Sequence, residues 1–217
     1  MTKLSRKERE RIQRREMILD VAEETIIKHG FDNATMDEIA EKAEVAKGTL
    51  YNHFKSKAHI YIAICERGSS KLNDQMAKVL TRDLSGLKMV EELGNTYLNF
   101  IKDNSQYFYA FNFYESIVRD KKIESGDIIN QCKVNTKEAM TYIVRALQIG
   151  MQDGSIDDSY NPQELGLIIW GASKGIINMV LLKQSSSEFE VLNEVDFDLE
   201  SIMKNFIHLV GTGLIKN

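Results

Sequence analysis

The stretch Thr35-Met-Asp-Glu-Ile-Ala-Glu-Lys-Ala43, followed after Glu44 by Val45-Ala-Lys-Gly-Thr-Leu-Tyr-Asn-His-Phe-Lys-Ser-Lys57, carries the strongest local signals in the chain. Thr35 with Glu38 three residues on has the form of a capping box, in which a hydroxyl and a carboxylate each satisfy a backbone donor at a helix start. A helix therefore opens near Met36 and turns Ile39, Ala40 and Ala43 inward. Glu44-Val-Ala46 leaves room for a short turn before a second brief helix from Lys47 to Phe54. Two short helices joined by three residues read as a helix-turn-helix.

On a helical wheel Phe54 falls about 40° from Leu50, so these two anchor the second helix, with Gly48, Asn52 and Lys55 opposite and Thr49 and Tyr51 on the flanks. A helix placed this way lies in the DNA major groove, where hydroxyls, amides and lysines meet base edges or phosphates. From Val45 to His59 there are three lysines and no acid to repel a phosphate backbone. The bland alternative makes Thr35 a cap only, Tyr51 and His53 packing residues, and the lysines solvated surface. All of these residues together at this spacing favour the reading head.

The two segments closely resemble the helix-turn-helix signature of the TetR family of bacterial regulators. The resemblance is strong over about the first 65 residues and looser beyond, where the length, a nine-helix pattern and the segment Gly150-Met-Gln-Asp-Gly-Ser-Ile156 also fit. It implies that Thr35, Thr49, His53 and Lys57 contact phosphates, that Lys47, Gly48 and Tyr51 lie nearest the bases, and that Asn52 serves either way. It also implies an effector site among the middle helices, with repression as the default. One departure is Glu44, where the family usually has glycine; a residue with a side chain adopts positive φ only at a cost.

Around this core, Ile12, Ile18, Val21, Ala22, Thr25 and Ile26 mark a first helix from Arg11 to Gly30, with Gly30 as its stop. Seven basic residues against two acidic ones between Met1 and Arg15 make a basic tail, Lys3 to Arg15, expected either to reach phosphates as a flexible arm or to be merely solvated. The chain's net charge of -4 thus conceals local positive charge at the N-terminal end. Cys65 and Cys132 lie far apart with no metal-ligand spacing, and the N-terminus lacks an apolar signal core. These features point to a cytoplasmic protein with no cofactor and no metal.

One proline in 217 residues, and no β-type alternation, make the chain all-α. Further helices are expected from Ser56 to Leu80, Ser85 to Asp103, Ser105 to Asp120, Asp127 to Gln152, Pro162 to Lys183 and Leu199 to Ile215, nine in all. The stretch from Ser185 to Asp198 reads as a loop. The expected organisation is a three-helix DNA-binding domain, 1–55, and a helical effector-binding and dimerisation domain, 56–217.

Eight of the 18 aromatic residues fall between Tyr97 and Tyr114, too many for one helical stripe. An apolar effector pocket is expected from Tyr97, Phe100, Phe108, Phe111, Tyr114, Met140, Ile143 and Trp170. From Leu165 to Leu182 the chain is apolar nearly all round; a membrane span competes, but Lys174 in mid-segment would cost about 2.5 to 3.5 kcal/mol to insert. Burial by a partner subunit is the favoured reading, through Ile168, Gly171, Gly175 and Met179 together with Ile202, Phe206, Leu209 and Val210 of the last helix. A two-fold homodimer would then bind a near-palindromic double-stranded operator and respond to a small-molecule effector. An enzyme needs converging groups, and His29, His53, His59 and His208 are scattered with no catalytic motif around them. A helical partner-binding protein with a vestigial head is disfavoured by the intact lysines and hydroxyls.

Overall fold

The computed structural model describes residues 5–120, 126–185 and 190–215, and every regular element among them is a helix. In chain order these are α1 (Arg6–Asn33), α2 (Met36–Lys42), α3 (Lys47–His53), α4 (Lys57–Val79), α5 (Gly86–Asp103), α6 (Ser105–Asp120), α7 (Asp127–Asp153), α8 (Pro162–Ser185), α9 (Glu190–Asn193) and α10 (Leu199–Gly213). The count exceeds the expected nine by α9, a single turn inside the stretch read as a loop; residues 186–189 of that stretch lie outside the described residues. Four residues are too few to display a helical period.

The N-terminal boundary also differs. Ser5 Oγ accepts the Glu8 N–H at 3.2 Å and the Glu8 carboxylate accepts the Ser5 N–H at 2.8 Å, a complete capping box that starts α1 five residues before Arg11. From Arg6 onward the basic segment is therefore helix rather than a flexible arm, while Lys3 lies outside the described residues. Gly30 is the expected stop: its φ of 76° and ψ of 164° break the helical path, a conformation open to a residue without Cβ.

Contacts group the chain into two compact units, one of Met1–Ser69 with Asn104–Lys133 and one of Ser70–Asp103 with Val134–Asn217. In the first, Ile18, Leu19 and Ala22 of α1, Ile39 of α2, Leu50 of α3, Ile60, Ile62 and Ile64 of α4, and Tyr107 and Phe108 of α6 are all buried. A ring cluster of Phe31, Tyr61 and Phe113, with centroids 4.3 to 4.7 Å apart, adds to this core. A half-buried ionic knot ties α1 to α4. Arg67 reaches Glu16 and Asp20 at 2.6 Å and Glu23 at 3.0 Å, and the Tyr107 hydroxyl donates to Glu23 at 3.1 Å.

In the second unit α10 packs against α5 and α8. The segment Gly150–Ile156 closes the start of α5: Asp153 Oδ2 accepts the Gly86 N–H at 2.8 Å and Ser155 Oγ accepts the Leu87 N–H at 3.1 Å. Two otherwise orphaned donors are satisfied. A Cβ on Gly86 would run into the Gly150 backbone, so glycine is required for this close approach.

Candidate functional site

Leu50 is fully buried and Phe54 nearly so, which fixes α3 by one face and leaves the other outside. Thr35 Oγ1 accepts the Glu38 N–H at 3.1 Å, the hydroxyl half of the expected capping box, while the Glu38 carboxylate is held by Lys42 at 2.7 Å and faces His29 at 3.4 Å. The turn between the helices is closed by Val45 N–H to the Ala40 carbonyl and Glu44 N–H to the Glu41 carbonyl, both at 3.0 Å. These are the two bonds of a Schellman motif, which needs a left-handed residue at the place where Glu44 stands. Glu44 takes φ 51°, the one positive φ at a non-glycine among the described residues. The conformation usually given to glycine is kept, with a side chain on it.

Lys47, Gly48, Tyr51 and Asn52 are exposed on α3, Thr49 and His53 on the same helix are half-buried, and Lys57, also half-buried, opens α4. A Cβ added to Gly48 would meet nothing within 4 Å, so nothing inside the protein asks for glycine there. Lys47 Nζ pairs with Asp37 at 2.7 Å, which raises its pKa. Lys57 Nζ donates to the Asp32 carbonyl at 3.0 Å and lies 4.6 Å over the Phe31 ring, so its ammonium is positioned at the end of α1. Burial, then the positive charges of Arg11, Arg15 and Arg14, lower the pKa of His53.

That last effect exposes residues the sequence reading left unassigned. Arg11 and Arg14, both exposed on α1, lie close enough to α3 to act on His53, and Arg15 stacks 5.3 Å over the Phe54 ring. The basic run was visible in the sequence. Its placement beside the reading helix is a tertiary contact, which the period of a single helix does not reveal.

In the second unit a cavity of about 80 Å³ opens among α4, α5, α7, α8 and α10. Tyr97, Ile143 and Trp170 line it, joined by Leu72 and Met76 of α4, Glu91 of α5 and Met203 and Phe206 of α10. Phe100 is buried and Met140 packs near Gly166, neither on the cavity wall. Phe108, Phe111 and Tyr114 belong to α6 in the first unit, where Phe108 and Tyr114 are buried in that unit's own core. Periodicity shows that a face is covered but not by which neighbour.

Ile168, Met179 and Leu209 are 63%, 51% and 68% exposed, and Cβ atoms on Gly171 and Gly175 would meet nothing. Ile202, Phe206 and Val210 are half-exposed, the latter two also lining the cavity. By length and composition alone α8 could cross a membrane: the window Pro162–Gln184 has mean hydropathy 1.7, and only 22% of it is buried within the protein. Among the described residues no group of His, Cys, Asp and Glu could hold a metal ion.

A capped helix, a four-residue turn and a second helix anchored by two apolar residues, presenting lysine, glycine, threonine, tyrosine and asparagine outward, define a DNA-binding transcription regulator of the helix-turn-helix class. Residues 18–64 match the profile of bacterial regulatory proteins, tetR family. The chain is 23% identical over 94% of its length to the HTH-type transcriptional activator FasR of Mycolicibacterium smegmatis, covering 84% of that protein. The transcriptional regulator FadR from Bacillus subtilis, solved with stearoyl-CoA, shares the fold at a TM-score of 0.66 and 18% identity, over 92% of this chain and 98% of that one. AibR, solved with isovaleryl coenzyme A and operator DNA, does so at 0.61 and 17%, over 90% and 97%.

Proposed function

We propose that this protein is a homodimeric, cytoplasmic regulator that represses transcription from a near-palindromic operator and is released when a small, mostly apolar effector enters the cavity lined by Tyr97, Ile143 and Trp170. Residues 1–55 serve as the reading head and 56–217 as the effector and dimerisation part. The observation that carries the reading is the exposed, acid-free face of α3 flanked by Arg11 and Arg14. Lys47, Gly48 and Tyr51 meet bases, Thr35, Thr49, His53 and Lys57 meet phosphates, and Asn52 meets either. Lys47 exchanges Asp37 for DNA on binding. That exchange is cheap, because both side chains are about two-thirds exposed and such pairs are worth little.

The coupling runs along α4. This helix begins three residues after α3, holds α1 through Arg67, and contributes Leu72 and Met76 to the cavity. An effector that displaces Leu72 and Met76 moves the helix that carries the head. By linkage, it must favour the DNA-incompetent state by the same free energy that it removes from operator binding. The complexes named for FadR and AibR, one with an acyl-CoA and one with an acyl-CoA and DNA, support a regulator with both kinds of partner.

Fluorescence anisotropy of labelled promoter DNA, titrated with the full chain at several salt concentrations, tests the reading. Binding to one upstream sequence is expected, with log affinity falling linearly in log salt as phosphate counterions are released. Salt-insensitive binding, or none to any upstream sequence, overturns it.

A further inference from the structure

The wall of the cavity between α5, α8 and α10 is apolar apart from Glu91, Tyr97, Ser173 and the indole N–H of Trp170, and the hydrogen bonding of Glu91 and Ser173 constrains the occupant. Ser173 lies 7% exposed and donates its hydroxyl proton to the Ile169 carbonyl at 2.7 Å, leaving only lone pairs to offer. The Glu91 carboxylate receives Lys88 Nζ on Oε2 at 2.5 Å, and among the described residues no hydrogen-bond donor meets Oε1. Oε1 lies against Gly211 of α10, where an added Cβ would stand 3.0 Å from it. The absence of a side chain at Gly211 makes room for this oxygen. Glu91 and Ser173 are therefore both acceptors, and a tyrosine hydroxyl works in either sense.

We infer that the effector has a small apolar body bearing one hydrogen-bond-donating group, a protonated amine in the strongest case, which docks on Glu91 Oε1. This rests on the cavity being the effector site. A carboxylate head is the wrong partner: it brings a second anion to Glu91, whose side chain is 27% exposed, and offers no proton to the acceptors of Glu91 and Ser173. The cavity of about 80 Å³ admits a short body and not a long chain without opening. Trp170 on the wall is the protein's single tryptophan, so its fluorescence reports occupancy of this site.

The test titrates the full chain with hexylammonium, hexanol and hexanoate, which share one body and differ in the head group, while following Trp170 emission. Hexylammonium is expected to bind most tightly, hexanol less, and hexanoate least. In Glu91→Gln the preference for hexylammonium over hexanol falls roughly tenfold or more, the scale of a hydrogen bond to a charged group. Gly211→Ala, whose Cβ displaces Oε1, lowers the same preference while leaving hexanol binding measurable, which keeps the test readable if one variant folds poorly. Equal or tighter binding of hexanoate, an unchanged preference in both variants, or no binding of any of the three overturns the inference. Operator affinity is measured in parallel: if the amine binds with the expected preference but DNA affinity stays constant, the head-group inference stands and the effector-site reading falls.

Discussion

Two neighbouring residues in the reading head show how local conformation and function separate. Glu44 holds φ 51° because the Ala40 and Glu41 carbonyls are both closed by the turn, and a left-handed residue is what closes them. A side chain in that region costs roughly 1–2 kcal/mol relative to right-handed backbone, part of which glycine returns through its larger unfolded-state entropy. Glu44→Gly is therefore expected to stabilise the protein by up to about 1 kcal/mol, or roughly 2–4 °C in Tm by calorimetry, with operator affinity unchanged. A lower Tm would show that Glu44 makes a compensating interaction. Gly48 poses the converse case, since a Cβ there meets open space and the helix gains from alanine. Gly48→Ala is expected to leave Tm unchanged or raised by an amount worth about 0.5 kcal/mol, while operator affinity falls at least tenfold if, as proposed, the added methyl meets the bases. Normal DNA binding by that variant, measured by anisotropy, would remove Gly48 from the interface.

Between elements, the knot of Arg67 with Glu16, Asp20 and Glu23 is what joins the head's first helix to α4. The Arg67 side chain is 13% exposed, so removing it strands carboxylates that folding has partly dehydrated, and Arg67→Met is expected to cost roughly 2–3 kcal/mol in chemical denaturation. The pH dependence carries the sign. Burial acts to raise the Glu16 pKa, but the hydrogen bond and charge of Arg67, helped by Arg15, outweigh it and hold the pKa below 4.5. A carboxylate depressed in the folded state contributes stability above its unfolded pKa and loses it as pH falls through the folded value. The wild type should therefore lose Tm below about pH 4.5 through this group, and Arg67→Met should lose less of it over the same interval. Equal acid slopes would exclude the knot as their source. None of this was legible in the sequence, because Arg67 and its partners lie 44 to 51 residues apart. What was legible were features written within one helix: the caps at Thr35, the Gly30 stop, and the Leu50 and Phe54 anchors. The aromatic run of α6 showed the limit, since its period marked buried faces but could not tell that Phe108 and Tyr114 serve the first unit's core and not the cavity wall.

For the molecule as a whole, the apolar surface of α8 and α10 decides how many heads act together. Leu167, Ile168, Met179, Leu182 and Leu209 are 40% to 68% exposed, while the charged residues of the α8 window are confined to Glu164, Lys174 and Lys183. Isolated exposed leucines need no explanation, but a continuous apolar face on adjoining helices has to be covered by something. A bilayer would have to accommodate Lys174 at mid-helix, 5.5 Å from the Trp170 ring, together with the polar face of α10 that carries Lys204 and His208. A second copy asks for neither, and Gly171 and Gly175 leave its helices room to approach. In the proposed dimer, two-fold pairing sets two heads on successive turns of DNA, so that operator affinity would depend on an interface whose residues do not touch DNA. Ile168→Glu with Leu209→Glu is expected to convert a dimer into a folded monomer, read by light scattering and circular dichroism. Its operator affinity should fall by at least a hundredfold, and the magnitude of its salt slope should halve, because half the phosphate contacts per binding event are gone. A doubly substituted protein that remains dimeric would move the interface elsewhere; a wild type that partitions onto anionic lipid vesicles would return α8 to the membrane.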